Sequence, residues 1–157
     1  MIYLLLFILN SPCEEYITNE TDYNFILNIP KINLRKTVKY YKDKDNSVNK
    51  GIYLANNYNF SQNNDILILA SHSGKSSISY FKHLDNLNIN DYVITSNNKY
   101  KNIYKINEIY KINKNGKFVY DRKKKGIYLI TCDKNENKKQ LVFYGKRVKS
   151  IKKSTYF

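Results

Sequence analysis

Cysteine is nearly absent: Cys13 and Cys132 are the only two in 157 residues, too few for the disulfide framework that staples small loop-rich domains. Neither has a partner at the short cysteine or histidine spacing of a structural zinc site, so neither a metal nor a cofactor is expected, and a reactive thiol is what remains. Long apolar runs are missing too. Residues 2–9 are apolar, whereas a membrane-spanning helix needs about 20. The run also lacks the Lys or Arg that opens a signal peptide. We therefore read residues 1–22 as the surviving end of an export or anchor segment plus linker, ahead of one domain at 23–157. Asn10-Ser11-Pro12 is a poor lipoprotein cleavage site before Cys13, which is read as incidental.

Acidic residues are scarce, 13 against 27 basic ones, for a net charge of +14. Such an excess ordinarily suggests a phosphate-bearing partner. Arginine, whose planar fork suits phosphate and base recognition, is almost missing as well: only Arg35, Arg122 and Arg147 occur. The abundance of Lys, Asn, Ile and Tyr is the set that AT-rich codons encode, so compositional drift competes with a nucleic-acid role. At 42% hydrophobic and 25% charged, the chain has material for a real core.

No long stretch follows a helical period, and the apolar patterns are short and strand-like. Strands are expected over residues 23–29, closed by Pro30, and over 32–41. Residues 42–62 read as an Asn-rich loop. Residues 65–70 form a continuous apolar run, the pattern of a central strand covered on both faces. A short helix is expected from Ser76 or Ser77 to Leu87, with Ile78, Phe81, Leu84 and Leu87 on one side. Further strands follow at 91–95, around 104–112, at 127–131 and at 140–148, with Asn115-Gly116 as a tight turn. Along 104–112 the alternation is broken by Glu108 and Ile109. No internal repeat is apparent.

Two reactive side chains each follow a fully apolar strand: His72 in Ala70-Ser71-His72-Ser73-Gly74, and Cys132 in Leu129-Ile130-Thr131-Cys132-Asp133. Strand ends at a sheet rim are where a rigid backbone holds a side chain in an accessible cleft. A thiol and an imidazole placed there can act as nucleophile and acid/base. A cysteine beside a buried strand is, however, more often inert core than catalyst. His83, among Phe81, Lys82 and Leu84, is given no role.

Order and neighbourhood together resemble the sortase family, over most of the chain from about Ile26 to Val148. Ile29-Pro30-Lys31-Ile32 resembles its early Ile-Pro-x-Ile segment. Ile68-Leu69-Ala70-Ser71-His72-Ser73-Gly74 resembles its histidine motif, followed by Tyr80-Phe81 and Leu84-Asp85-x-Leu87. Asn90-Asp91-Tyr92-Val93 matches Gly-Asp-x-Ile/Val with Asn90 for Gly, and Leu129-Ile130-Thr131-Cys132 matches Leu-x-Thr-Cys.

The resemblance implies an eight-stranded, mostly β barrel with short helices and a substrate groove. It implies that Cys132 attacks a Leu-Pro-x-Thr-Gly-like sorting signal, with His72 as acid and then base, and that the acyl group passes to an amine. Ser71, Ile130 and Thr131 become candidate substrate-binding residues. The implied partners are surface proteins with C-terminal sorting signals and a peptidoglycan cross-bridge or pilin amine. Nucleic acid is not among them. The implied location is the outer face of the plasma membrane of a Gram-positive bacterium. The short stretch between Ile112 and Ile127 leaves no room for a long inserted helix, which fits classes A or D rather than B.

The sequence departs from the family at one important place. Where the pattern Arg-Leu-Val-Val-x-Gly has its stabilising Arg, this chain has Gln140-Leu141-Val142-Phe143-Tyr144-Gly145. An amide donates a hydrogen bond but has neither the charge nor the fork of Arg. Lys139 and Arg147 are the nearby cations to examine as compensation. The competing readings are an inactive paralogue, a hydrolytic cysteine peptidase of the same fold, and a basic module binding RNA or an anionic polymer.

Overall fold

A computed structural model describes residues 24–58 and 66–154. Cys13 and the apolar start at residues 1–22 lie outside the described residues. Eight strands form one sheet that curls into a nearly closed barrel: β1 (Phe25–Ile29), β2 (Leu34–Val38), β3 (Tyr53–Leu54), β4 (Ile66–Ala70), β5 (Tyr92–Ser96), β6 (Tyr100–Asn113), β7 (Gly126–Cys132) and β8 (Lys139–Lys152). Their order is β2-β1-β5-β6-β8-β7-β4-β3. The β4–β7 pair is parallel and every other pair is antiparallel.

Strand alternation sends two sets of side chains to opposite faces. Leu67, Leu69, Ile127, Leu129 and Phe143 enter the barrel core with Phe25, Leu27, Phe81, Val93, Tyr104 and Ile106. The opposite face of the same strands carries Ile66, Ile68, Tyr128, Ile130, Val142 and Tyr144, packed under Tyr110, Ile112, Phe118 and Tyr120. This explains why β4 and β7 read as unbroken apolar runs, since both of their faces are covered. Coverage does not make β4 central, however. It is the penultimate strand, because the loop after β6 and not a further strand covers its outer face.

Several other expectations change in detail. The two-residue strand β3 lies within the Asn-rich stretch and is too short to give a periodic signal. The helix expected through Leu87 is instead a run of turns ending in one 3-10 turn, Leu84–Asn86. Phe81, Leu84 and Leu87 are still buried, and their three-residue spacing is the 3-10 period itself. A second 3-10 turn, Pro30–Ile32, separates β1 from β2. In β6 the register slips between Ile106 and Glu108, leaving Asn107 as a bulge whose Oδ1 accepts the Lys146 N–H at 2.9 Å. A bulge reverses parity. Even-numbered residues point into the core before it and to the groove face after it, so Glu108 ends the apolar alternation.

The barrel's seam lies between the edge strands β2 and β3. Asn46 closes it without a ladder: its amide donates to Tyr41 O at 3.1 Å and Leu54 O at 3.0 Å, and its carbonyl accepts Leu54 N–H at 2.7 Å. Asn90, where the family pattern has Gly, adopts φ 78°, the left-handed conformation that Asn tolerates best after Gly.

Gly126, which opens β7, has φ 151°, and a Cβ there would stand 2.2 Å from the Gly145 carbonyl oxygen. Gly126→Ala should therefore destabilise the fold by about 1–3 kcal/mol. Urea unfolding measures this, and an unchanged midpoint would refute the packing argument.

Candidate active site

The site is built by the parallel pair β4–β7. Ala70 of β4 lies opposite Ile130 of β7, and Ser71 N–H continues the pairing by donating to Ile130 O at 3.2 Å. Thr131 Oγ1 then donates to Ser71 O at 2.8 Å across the same gap. Held this way, His72 and Cys132 leave the two strand ends side by side, and adjacent strands are only about 4.8 Å apart. Both follow the parity of Ile68, Ala70, Tyr128 and Ile130, which faces away from the barrel core.

Gln140 completes the row. It is the direct β8 partner of Cys132, so the two side chains share a face, and Ile112 of β6 lies beyond it. The three polar candidates thus stand across adjacent strands in the order Gln140, Cys132, His72. Gln140 makes no side-chain hydrogen bond among the described residues and is half-buried.

Gln140, at one end of the row, lines a groove of about 370 Å³ whose floor also includes Ile68, Ala70 and Ile130, the residues that precede His72 and Cys132 on the same face. Its walls are Tyr53 and Asn56 on one side and Gly116, Lys117, Phe118 and Tyr120 on the other. The aromatic wall is fixed to the sheet. Phe118 stacks on Tyr120 with centroids 5.8 Å apart and meets Tyr128 edge-on at 5.5 Å. The Tyr128 hydroxyl donates to Lys124 O at 3.1 Å, and the Tyr144 hydroxyl donates to Lys125 O at 2.7 Å. Burial pushes the Tyr128 phenol up to about 12, so it remains a neutral donor.

Of the candidate substrate-binding residues, Ile130 lines the groove. Ser71 and Thr131 point the other way and are buried. Ser71 Oγ donates to Gly51 O at 3.3 Å, and Thr131 is occupied by Ser71 O, so both act as braces between strands. His72 Nε2 lies 3.2 Å from Asn49 Oδ1, a contact that orients the imidazole. Cys132 itself lines a cleft of about 30 Å³ with Ser73, Asp85 and Leu141.

The cation beside the thiol is one that sequence reasoning missed. Lys114, just past the end of β6, donates from Nζ to Cys132 Sγ at 3.5 Å. Neither expected substitute is there. Lys139 Nζ is bound to Asn113 Oδ1 at 2.8 Å. Arg147 is seven residues from Gln140 along β8, roughly 23 Å away at the rise of a strand, where it faces Tyr104 across the β6–β8 ladder. The pairing of Asn113 with Lys139 brings Lys114 over the β7 end. Nothing in the local sequence around Lys114 signals this.

The turn after Cys132 is pinned electrostatically. Lys111 Nζ contacts Asp133 Oδ2 at 2.7 Å and Glu136 Oε1 at 2.5 Å, while Asp133 Oδ1 accepts Asn135 N–H at 2.9 Å. Lys134 Nζ reaches Asp85 at 3.0 Å and also bonds Lys82 O. Lys111 first, then the Asn135 N–H, hold the Asp133 carboxyl below its ordinary value. Among the described residues, no group of carboxylates, histidines and cysteines could hold a metal ion.

With this geometry, the fold and site define a mostly β barrel that carries a thiol, an imidazole and an amide in one row beside an apolar groove. The Sortase domain family matches residues 27–148, and the chain belongs to the sortase family, a family of cysteine transpeptidases. Among solved structures, sortase A of Listeria monocytogenes matches with a TM-score of 0.68 at 20% identity, over 83% of this chain and 90% of that one. Sortase C-3 of Streptococcus pneumoniae gives 0.69 at 22%, over 87% and 68%. A Streptococcus pneumoniae sortase C described for its catalysis and pilin substrate specificity gives 0.66 at 19%, over 82% and 67%. At these identities the likeness concerns the fold. No curated protein matches the sequence.

Two outcomes follow. Thr131→Val keeps the shape but leaves Ser71 O without its donor, so stability should fall by about 1–3 kcal/mol, with Thr131→Ser restoring it in chemical unfolding. A Val variant as stable as the wild type would contradict the bracing role. Because the folded Asp133 pKa is depressed, its stabilising contribution is complete above the unfolded value of about 3.9 and is lost as pH falls through the folded value. Asp133→Asn should flatten that part of the stability profile below about pH 4, and an unaltered acid limb would contradict it.

Proposed function

We propose that the protein is a sortase-type transpeptidase that cleaves a Leu-Pro-x-Thr-Gly-like sorting signal through a thioester on Cys132 and transfers the acyl group to an amine. The observation that carries this reading is the row Gln140, Cys132, His72, set by the β4–β7 and β7–β8 registers, with Gln140 lining the apolar groove. A basic RNA-binding module would have no need of that row.

The chemistry can be followed atom by atom. The groove, with Ile130 below and Phe118 beside, suits the apolar residues of an extended peptide, whose scissile carbonyl is then delivered to Cys132 at the rim. The Cys132 thiolate adds to the carbonyl carbon, and negative charge moves to the carbonyl oxygen. Protonated His72, oriented by Asn49, gives its proton to the departing amine as the C–N bond breaks. The thioester remains. An incoming amine adds to the same carbonyl, His72 accepts its proton, and the new amide forms as the sulfur leaves.

The oxyanion needs donors, and here two residues share the role that one Arg fills in the family pattern. Gln140, directly across from Cys132, supplies a neutral N–H donor. Lys114 supplies the positive charge, as a point charge and without the bidentate geometry. We place the enzyme at the outer face of the plasma membrane, with surface proteins carrying sorting signals as donors and a cell-wall or pilin amine as acceptor. Family membership supports that placement. No helix among the described residues is long and apolar enough to cross a membrane.

Single-turnover acylation by sorting-signal peptides, followed by mass spectrometry, tests the assignment. Cys132→Ala should give no covalent adduct and His72→Ala a severe loss of rate, whereas His83→Ala should react normally. Lys114→Ala should be slower by about tenfold, less than the 10²–10³ of a buried oxyanion donor, because solvent screens an exposed ammonium. Gln140→Arg should recover much of that loss in the Lys114→Ala background. Added amine should increase product formation, as hydrolysis alone would not. An adduct formed at undiminished rate by Cys132→Ala would refute the mechanism, and an unchanged Lys114→Ala rate would remove Lys114 from it.

A further inference from the structure

A second concave site lies at the barrel's seam. It is a cleft of about 780 Å³ lined by Arg35, Lys36, Thr37 and Lys39 from β2 and its extension, by Asp45, Lys50, Gly51 and Ile52 from the following loop, and by Tyr80. Four of these nine residues are cations, against 27 of 157 in the whole chain, so the lining is basic well beyond the general lysine richness. The concentration also includes Arg35, one of only three arginines.

The charges are arranged to leave an excess facing the cavity. Asp45, the one carboxylate of the lining, is already paired with Lys50 at 2.6 Å. Lys50 lowers the Asp45 carboxyl below its usual range, and Lys44 and Lys39 push it the same way. Lys36 Nζ rests 4.7 Å from the centre of the Tyr80 ring. Among the described residues neither Arg35 nor Lys39 forms an ion pair; Lys39 acts on Asp45 only through its field, and Asp45 is held by Lys50. Among the described residues β2 pairs only with β1. Concave, like-charged walls focus the field and raise local anion concentration.

We propose that this cleft is a binding site for a ligand carrying two or more neighbouring phosphate groups, such as a polyphosphate chain or the headgroups of an anionic phospholipid. Phosphate fits better than a lone carboxylate because one carboxylate neutralises only one cation and the cleft offers an unpaired Arg with flanking lysines. The cleft wall includes Lys50 and Gly51, adjacent to Asn49, which contacts His72, and Gly51 O accepts from Ser71. Anion binding therefore occurs against the loop that orients the imidazole. The site itself does not depend on the role given to Cys132.

Isothermal titration of the full chain with inorganic pyrophosphate tests the proposal. The wild type should show one saturable site, weakened about tenfold or more by Lys36→Glu/Lys39→Glu. Lys149→Glu/Lys152→Glu, which makes the same charge change on the far end of β8, should alter binding less than twofold. Lys36→Gln/Lys39→Gln should lie between, which separates loss of attraction from misfolding. Two further arms identify the source: vesicles of phosphatidylglycerol in phosphatidylcholine for the lipid, and soluble polyphosphate for the polymer. Non-saturable binding, or equal weakening by both Glu pairs, would show general polycation behaviour and overturn the site. Tighter binding of single-stranded RNA than of polyphosphate of equal charge would overturn the ligand class. Cys132 acylation, measured on the same variants, reports separately on the catalytic reading.

Discussion

The parallel pairing of β4 with β7 is the constraint on which the rest of the site depends. Among the described residues it is the only parallel pair in the sheet, and it joins segments sixty positions apart. Two parallel strands end at the same rim, so residues that follow them emerge together. Antiparallel partners could not do this for His72 and Cys132, because their C-terminal ends would lie at opposite edges. The register is tightly held, since a one-residue slip would turn Leu69 and Leu129 out of the core and the groove-facing residues into it. The Thr131–Ser71 hydrogen bond extends this pairing past the last ladder bond, to within one residue of the chemistry.

The strands that carry the site were legible for a simple reason. β4 and β7 are covered on both faces and so appear as apolar runs, and a reactive residue immediately beyond such a run stands out. What could not be read depends on contacts between distant segments. β3 has two residues and no period. The Asn107 bulge is visible only as a fault in alternation at Glu108 and Ile109, with nothing to show which face wins. The expected helix near Leu84 followed from a three-residue spacing that serves a 3-10 turn equally well. Ser71 and Thr131 were grouped with the groove because of their place in the motifs, but strand parity turns them inward. Lys114 reaches Cys132 only because β6 and β8 pair Asn113 with Lys139, information that no local pattern contains.

The substitution of Gln140 for the family's Arg separates two functions that one guanidinium usually combines: directional donation and positive charge. In the proposed mechanism the directional donor is Gln140, opposite the thiol on β8, and the charge is that of Lys114 at the end of β6. Lys114 is exposed, so the contribution proposed for it is sensitive to salt, whereas that of a neutral amide in the groove is not. The loop between β6 and β7 therefore contributes at both of its ends, with Lys114 at the sulfur and Phe118 and Tyr120 at the groove wall. The tyrosine hydroxyls that anchor this loop at Lys124 and Lys125 keep those two contributions in fixed relation.

A crystal structure of the protein trapped as a covalent peptide adduct on Cys132 tests the central claim most directly. The acyl chain should run along the groove over Ile130 and beside Phe118. The carbonyl oxygen should lie within hydrogen-bond reach of Gln140 or Lys114, with His72 on the side of the departed amine. An acyl chain directed instead into the small cleft beside Ser73 and Asp85, with His72 out of reach, would contradict it.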